Sequence, residues 1–126
     1  MTEWRWIDPQ VVKAVHDSQL AEHGGREGVR DLGLIESALG RPHNLVAYGT
    51  PDAADLAAAY AFGIVKNHGF ADGNKRTAWI CARLFLADNG YVLSFNKSDA
   101  VRVMMSLTDG SLDEAAMAEW LRARMA

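Results

Sequence analysis

The stretch His68-Gly69-Phe70-Ala71-Asp72-Gly73-Asn74-Lys75-Arg76-Thr77 separates two apolar runs, residues 53–65 before it and residues 78–87 after it. Both runs are apolar almost all the way round a helix. The first carries Ala57, Tyr60, Ala61, Ile64 and Val65; the second carries Trp79, Ile80, Cys81, Leu84, Phe85 and Leu86. Helices without a polar face belong in the middle of a bundle. The ten-residue stretch is therefore predicted to be the joint between two central helices. Lys75 and Arg76 fall in the first turn of the second one, where the positive end of the helix dipole disfavours cations. Two cations there make sense when an anion docks on the exposed backbone N–H groups and offsets both.

Outward from the joint, helix signals dominate. Asp8-Pro9 reads as an N-cap followed by Pro at the first helical position, and Gly24-Gly25 ends that helix. Val11, Val12, Val15 and Leu20 fit one face of it. Asp31 is expected to cap a short second helix through Leu39, stopped by Gly40, which leaves residues 41–49 as a loop. Thr50-Pro51-Asp52 starts a third helix reaching about Asn67, and Asp72 is expected to cap a fourth that ends at Asn89-Gly90. Ser98 and Ser111 are the expected caps of two more, with Ser111 and Glu114 spaced as a capping box. Residues 91–95 read as extended, with no partner strand evident. The pattern predicts an all-α fold, a compact bundle of about six helices forming a single domain over residues 1–126.

At 126 residues the chain is large enough to bury a core without disulfide or metal staples. Its net charge of −3 argues against a nucleic-acid surface, which usually shows as a basic patch. The lone Cys81 suits a reducing cytoplasm. The first eight residues have no apolar signal-peptide core, and no apolar run is long enough to span a bilayer, so the expected location is cytoplasmic, away from membranes.

Taken singly, each residue of the joint has an ordinary reading. His68 ends a helix, Asp72 caps one, and Lys75 and Arg76 are a solvated pair. Together they supply every part of a phosphoryl or nucleotidyl transfer site. Such a transfer needs phosphate charge held, a metal ion bridging oxygens, and a hydroxyl positioned and deprotonated. Backbone N–H groups around Gly73 and Asn74 can cradle phosphate, and Gly73 lets the backbone approach closely. Arg76 can grip phosphate bidentately, while Lys75 acts as a point charge. Asp72 is a hard oxygen ligand suited to partly hydrated Mg²⁺, and His68 is the group poised to take a proton near neutral pH. Phe70 is expected to anchor the loop in the core.

These residues, His68 through Ala78, resemble the signature of the Fic/Doc superfamily, and specifically its Doc branch, the death-on-curing toxins. Segments outside the motif are similar too: His16-Asp17 followed by Gly24-Gly25, residues 34–41, and Leu84-Phe85-Leu86 with Asn89-Gly90-Tyr91. The resemblance covers roughly residues 7–95 and implies the Fic/Doc fold. Fic adenylyltransferases carry Pro after the histidine, Gly where Lys75 stands, and a second arginine where Trp79 stands. Lys75 fills space where Gly would admit a phosphate, and Trp79 removes one phosphate clamp. In Doc proteins the lysine goes with an altered nucleotide orientation, so the terminal phosphate of ATP is transferred to a protein hydroxyl. The resemblance thus implies a kinase-like toxin that uses ATP and Mg²⁺ and blocks protein synthesis, with a translation elongation factor, elongation factor Tu, as its target. It makes His68 the base, Asp72 the metal-linked acid, and Gly73, Asn74, Lys75 and Arg76 the phosphate-binding group.

Other readings compete. A Fic-type nucleotidyltransferase adding AMP differs at Lys75 and Trp79. A binding module without catalysis need not keep His68, Asp72, Lys75 and Arg76 together, and a ribonuclease lacks a second base. No Walker A loop is present, and His16 and His23 read as surface or core histidines rather than metal ligands. Trp4 and Trp6 are expected to pack on the body. Arg41, Asn44 and Tyr48, in the loop beside the motif, are candidates for target docking. Ser18 to Glu22 approaches the self-inhibitory helix motif of Fic proteins, but His23 breaks its last position. A toxin without its own brake implies a separate antitoxin with a disordered tail that folds on binding, against residues 12–20, residues 41–48 or residues 93–104, where Met104 and Met105 offer an adaptable surface.

Overall fold

The structure is a computed structural model that describes residues 3–126. It contains six helices: α1 (Pro9–His23), α2 (Leu32–Tyr48), α3 (Ala53–Asn67), α4 (Asn74–Asp88), α5 (Lys97–Asp109) and α6 (Glu114–Arg122). The all-α bundle expected from the pattern is what forms. At its centre lies α3, with α2, α4, α5 and α6 packed around it. Eleven of its fifteen residues are buried, most of them alanines that let neighbouring helices approach closely. Gly63 marks the closest approach. A Cβ there would sit 3.1 Å from the carbonyl oxygen of Ala38 on α2. Tyr60, Leu56, Phe85, Leu86, Leu107, Met117 and Leu121 complete the core. Each such side chain taken from water contributes about 1.5–3 kcal/mol. Trp4 and Trp6 pack on Phe85, and Ile7 N–H donates to the buried Tyr60 hydroxyl, which ties the chain's start to the core.

The helix ends differ from the sequence expectation in four places. α2 does not stop at Gly40. It runs through Pro42 to Tyr48, so residues 41–48 are helical rather than a loop. Pro42 forfeits one backbone hydrogen bond, but its ring is buried beside Ala38 and Leu39 in the face that packs on α3. Asp72 does not cap α4, because Gly73 in a left-handed conformation (φ 78°) intervenes and no side chain caps that helix. Asn96, not Ser98, caps α5, accepting from Ser98 N–H at 2.8 Å. Asp113 caps α6, leaving Ser111 to bond Asp109 within the preceding turn and Glu114 to pair with Arg41. Residues 91–95 are extended as expected, and they do have a partner. Val92 and Ser94 pair antiparallel with the chain's last residues, through Val92 N to Ala126 O and Ser94 N to Arg124 O, both 2.9 Å.

The start of α3 is fastened to α6 by charge. Asp52 and Asp55 form a capping box, and Arg122 bridges both at 2.7–3.0 Å while also meeting Glu119. Hydrogen bonds from Arg122 hold the Asp52 carboxyl down at about 2. A carboxyl depressed in the folded state contributes stability that is present above its unfolded value of 3.8 and lost as pH falls toward 2. Both partners are well solvated, so the contribution is about 1 kcal/mol. Urea unfolding of Arg122→Leu should therefore show about 1 kcal/mol lost at pH 7, with the gap to wild type closing between pH 4 and pH 2. A gap that is constant across that range would assign the loss to packing of the Arg122 stem instead.

Candidate functional site

α3 ends by placing His68 at its C-cap in the left-handed region, at φ 49° and ψ 45°; it is the one non-glycine residue with positive φ among those described. That conformation costs an L-residue roughly 1–2 kcal/mol. The strain sits on the residue that the sequence singles out as the base. From there the chain turns through Gly69 and the buried Phe70, which anchors the loop as expected.

Contacts from the segment after α1 and from within the loop itself hold it in place. The segment after α1 zips onto it, with Arg30 and Asp31 N–H donating to Gly69 O at 2.8 and 3.0 Å and Ala71 N–H donating to Gly28 O at 3.1 Å. Arg26 reaches it twice, its guanidinium to Ala71 O and its N–H to the Asp72 carboxylate, both 3.3 Å. Within the loop, the Asn74 side chain accepts from Phe70 N–H (3.2 Å) and donates to Phe70 O (3.1 Å). That side chain is thus a brace within the loop, while the backbone N–H of Asn74 stands in the first turn of α4.

Five of the six helices begin under an Asp or Asn side chain that accepts from their first turn; α4 does not. Its leading N–H groups have no intrahelical acceptor. They open on a cavity of about 370 Å³ lined by Val65, His68, Ala71, Asp72, Gly73, Asn74, Lys75, Arg76 and Thr108. All six motif residues singled out in the sequence therefore meet around one cavity. Lys75 and Arg76 are exposed at its rim. Asp72 takes hydrogen bonds from the N–H groups of Arg26 and Gly73, and with the nearby Arg26 and Arg76 charges these hold its carboxyl below the usual carboxylate range. Among the described residues, no group of three His, Cys, Asp or Glu side chains stands close enough to cage a metal. A single ionised carboxylate suits Mg²⁺, which keeps several waters and takes its other ligands from substrate phosphates.

Trp79 faces elsewhere. It packs edge-on against Phe95 (5.2 Å) and Trp120 (6.1 Å), with Arg83 over the rings. Arg41, Asn44 and Tyr48 share one face of α2 and line a separate cavity of about 650 Å³ between α2, α3 and α6. Arg41 stacks over Phe62 at 4.9 Å there. Met104 is buried in the core and only Met105 is exposed, which corrects the expected pair. The Cys81 thiol is buried and pushed up to about 12, which makes it inert. Sequence reasoning missed Arg26 and the bracing role of Asn74. It also missed why Gly69 departs from the Pro of the wider Fic pattern. A Cβ at residue 69 would lie 2.3 Å from Ile35 Cγ1 and 3.0 Å from Ile35 N.

The family model described as Fic/DOC family matches residues 6–86, and the chain belongs to the Fic/Doc family. Within it, the chain falls in the Doc branch. It is 34% identical over 119 residues, 94% of either chain, to a protein of Escherichia phage P1 named Protein kinase doc. It is 46% identical over 74 residues, 56% of either chain, to a protein of Mycolicibacterium smegmatis named Toxin Doc. Among the described residues no helix is long and apolar enough to cross a membrane.

The contact at Gly69 sets a prediction. Gly69→Ala should force Ile35 and the start of α2 outward and destabilise by about 1–3 kcal/mol. Thermal melting checks it, and a paired Gly69→Ala, Ile35→Ala variant should lose less than the sum of the two single changes, because alanine at residue 35 removes the Cγ1 that the new Cβ would meet.

Proposed function

We propose that this protein is a Doc-type toxin that transfers the γ-phosphoryl group of ATP to a hydroxyl of a protein, with elongation factor Tu as the target and protein synthesis as the process it stops. The observation that carries this reading is the uncapped start of α4, opening on a cavity shared by His68, Asp72, Lys75 and Arg76. The N–H groups of residues 74–76, the Arg76 guanidinium and the Lys75 ammonium supply a cradle for phosphate oxygens. His68 is positioned to take the hydroxyl proton as the oxygen attacks the γ-phosphorus and the bond to the ADP leaving oxygen breaks. Asp72 would hold Mg²⁺, whose charge offsets that of the phosphates when bound. The packing of Trp79 against Phe95 and Trp120 fits a site without the second arginine clamp of adenylyltransferases. The printed name of the phage P1 relative, a protein kinase, agrees with phosphoryl transfer.

A toxin of this kind acts in the cytoplasm and is held by an antitoxin. The tail of such a partner would fold as a helix into the groove of about 450 Å³ between α1 and α2, where Val29 and Leu32 are exposed beside Ile35 and Leu39.

Labelled ATP tests the chemistry. Label should pass to the target from the γ position and not from the α position; transfer from the α position would replace this reading with AMP transfer. His68→Gly should lower the rate about 10²–10⁴-fold. Because glycine relieves the left-handed strain at residue 68, the variant should melt no lower than wild type. Lys75→Gly should gain some AMP transfer, seen as an added AMP mass on the target, if Lys75 sets how the nucleotide lies.

A further inference from the structure

His16 lies on α1, far from the motif in sequence, yet it is 2% exposed and stands against the loop. A buried imidazole needs its polar atoms satisfied. Its Nε2 is 2.7 Å from the carbonyl oxygen of Asp72. That carbonyl can only accept, so Nε2 carries the proton. Nδ1 faces Asp17 Oδ1 at 3.8 Å, beyond hydrogen-bond distance. The ring also lies flat on Phe70, with centroids 3.8 Å apart and planes 12° from parallel. A Cβ built on Gly73 would sit 3.5 Å from His16 Cδ2, so the ring is close to that residue as well. One side chain therefore spans Phe70, Asp72 and Gly73.

The carbonyl of Asp72 and the N–H of Gly73 belong to one rigid peptide plane. Fixing the carbonyl fixes the direction of that N–H, which donates to Asp72 Oδ1 at 3.0 Å. Gly73 is also the left-handed residue from which α4 departs. Without the imidazole, the backbone freedom of glycine would allow this peptide to rotate and would carry the Asp72 carboxylate and the first turn of α4 with it.

We propose that His16 is a positioning residue for transfer, its Nε2–H bond and its stack on Phe70 locking the Asp72–Gly73 peptide so that the Asp72 carboxylate and the open N–H groups of α4 face the cavity together. This inference rests on the reading of that cavity as the transfer site. A merely space-filling His16 would be replaced without loss by an aromatic ring of similar size.

His16→Phe keeps the ring and the stack and removes the donor; His16→Gln restores an N–H near the position of Nε2. The phenylalanine variant should lower kcat about 10–100-fold, as a misplaced catalytic group does. Its KM for ATP should rise as well, since the N–H groups that cradle phosphate lose their fixed direction. The glutamine variant should recover most of the lost kcat. Backbone ¹⁵N relaxation gives a readout independent of any reaction. Order parameters of residues 73–76 should fall in His16→Phe, hold in His16→Gln, and remain at wild-type values along α3 in both. Undiminished kcat or order in His16→Phe overturns the proposal, as does a glutamine variant no better than phenylalanine. If His16→Phe does not fold, the glutamine variant decides alone: wild-type order and activity support the role, and their loss ends it. If wild type transfers no phosphoryl group, the transfer reading fails, while the relaxation comparison still decides whether His16 locks the loop.

Discussion

The rest of the structure depends on the burial of α3 from every side. An alanine-rich helix can be enclosed this way because its neighbours approach to backbone distance, as α2 does where Gly63 faces Ala38. Close-packed interiors resist deformation, so the two ends of α3 become fixed points. One end is tied to α6 through Asp52, Asp55 and Arg122, and the other delivers His68. A residue in a strained left-handed conformation persists only when its surroundings over-determine it. Here the rigid helix before His68 and the bracketed loop after it do so.

Charge is sorted along the molecule in a way that the net value of −3 conceals. Asp52, Asp55, Glu114 and Glu119 are paired with Arg41 and Arg122 around the start of α3 and along α6. Arg26, Lys75 and Arg76 form no ion pair among the described residues. With the uncapped dipole of α4 they give the cavity mouth a positive potential, and the nearest carboxylate, Asp72, is partly neutralised by backbone N–H groups. An acidic protein thereby gathers unpaired cations at one helix start without having a basic face.

Most of the architecture was legible because it rests on local rules. Apolar runs gave six helices and their order, and Asp8-Pro9 and Asp52 read correctly as starts. The errors lie where tertiary packing overrides local preference. Pro42 and Gly40 look like stops until the α3 surface that buries Pro42 is known. Ser98, Ser111 and Glu114 carry cap-like spacing, but Ser98 falls inside α5 behind Asn96, Asp113 stands directly before α6, and Glu114 is claimed by Arg41. The site was legible as a set of residues and less so as a mechanism of support. Asn74 reads as a ligand-facing residue because nothing local reveals that its side chain bridges the N–H and the carbonyl of Phe70. Arg26, and the support that His16 gives the loop, escape a local reading because their contacts span 45 to 56 positions of chain.

The missing cap on α4 ties these observations together. Supplying a side-chain acceptor there would stabilise the helix by about 1 kcal/mol, and this chain supplies one at every other helix start. Asp72 is one residue too far out to do it, held there by Gly73 and by the hydrogen bond from His16. A capping carboxylate would occupy the very N–H groups that an anionic ligand needs. The same displacement leaves the Asp72 carboxylate at the edge of the cavity, bonded to the N–H groups of Gly73 and Arg26 rather than to the first turn of α4. Local stability is thus lower where binding requires open donors, and the surrounding core, dense around α3, is what lets the fold carry that deficit.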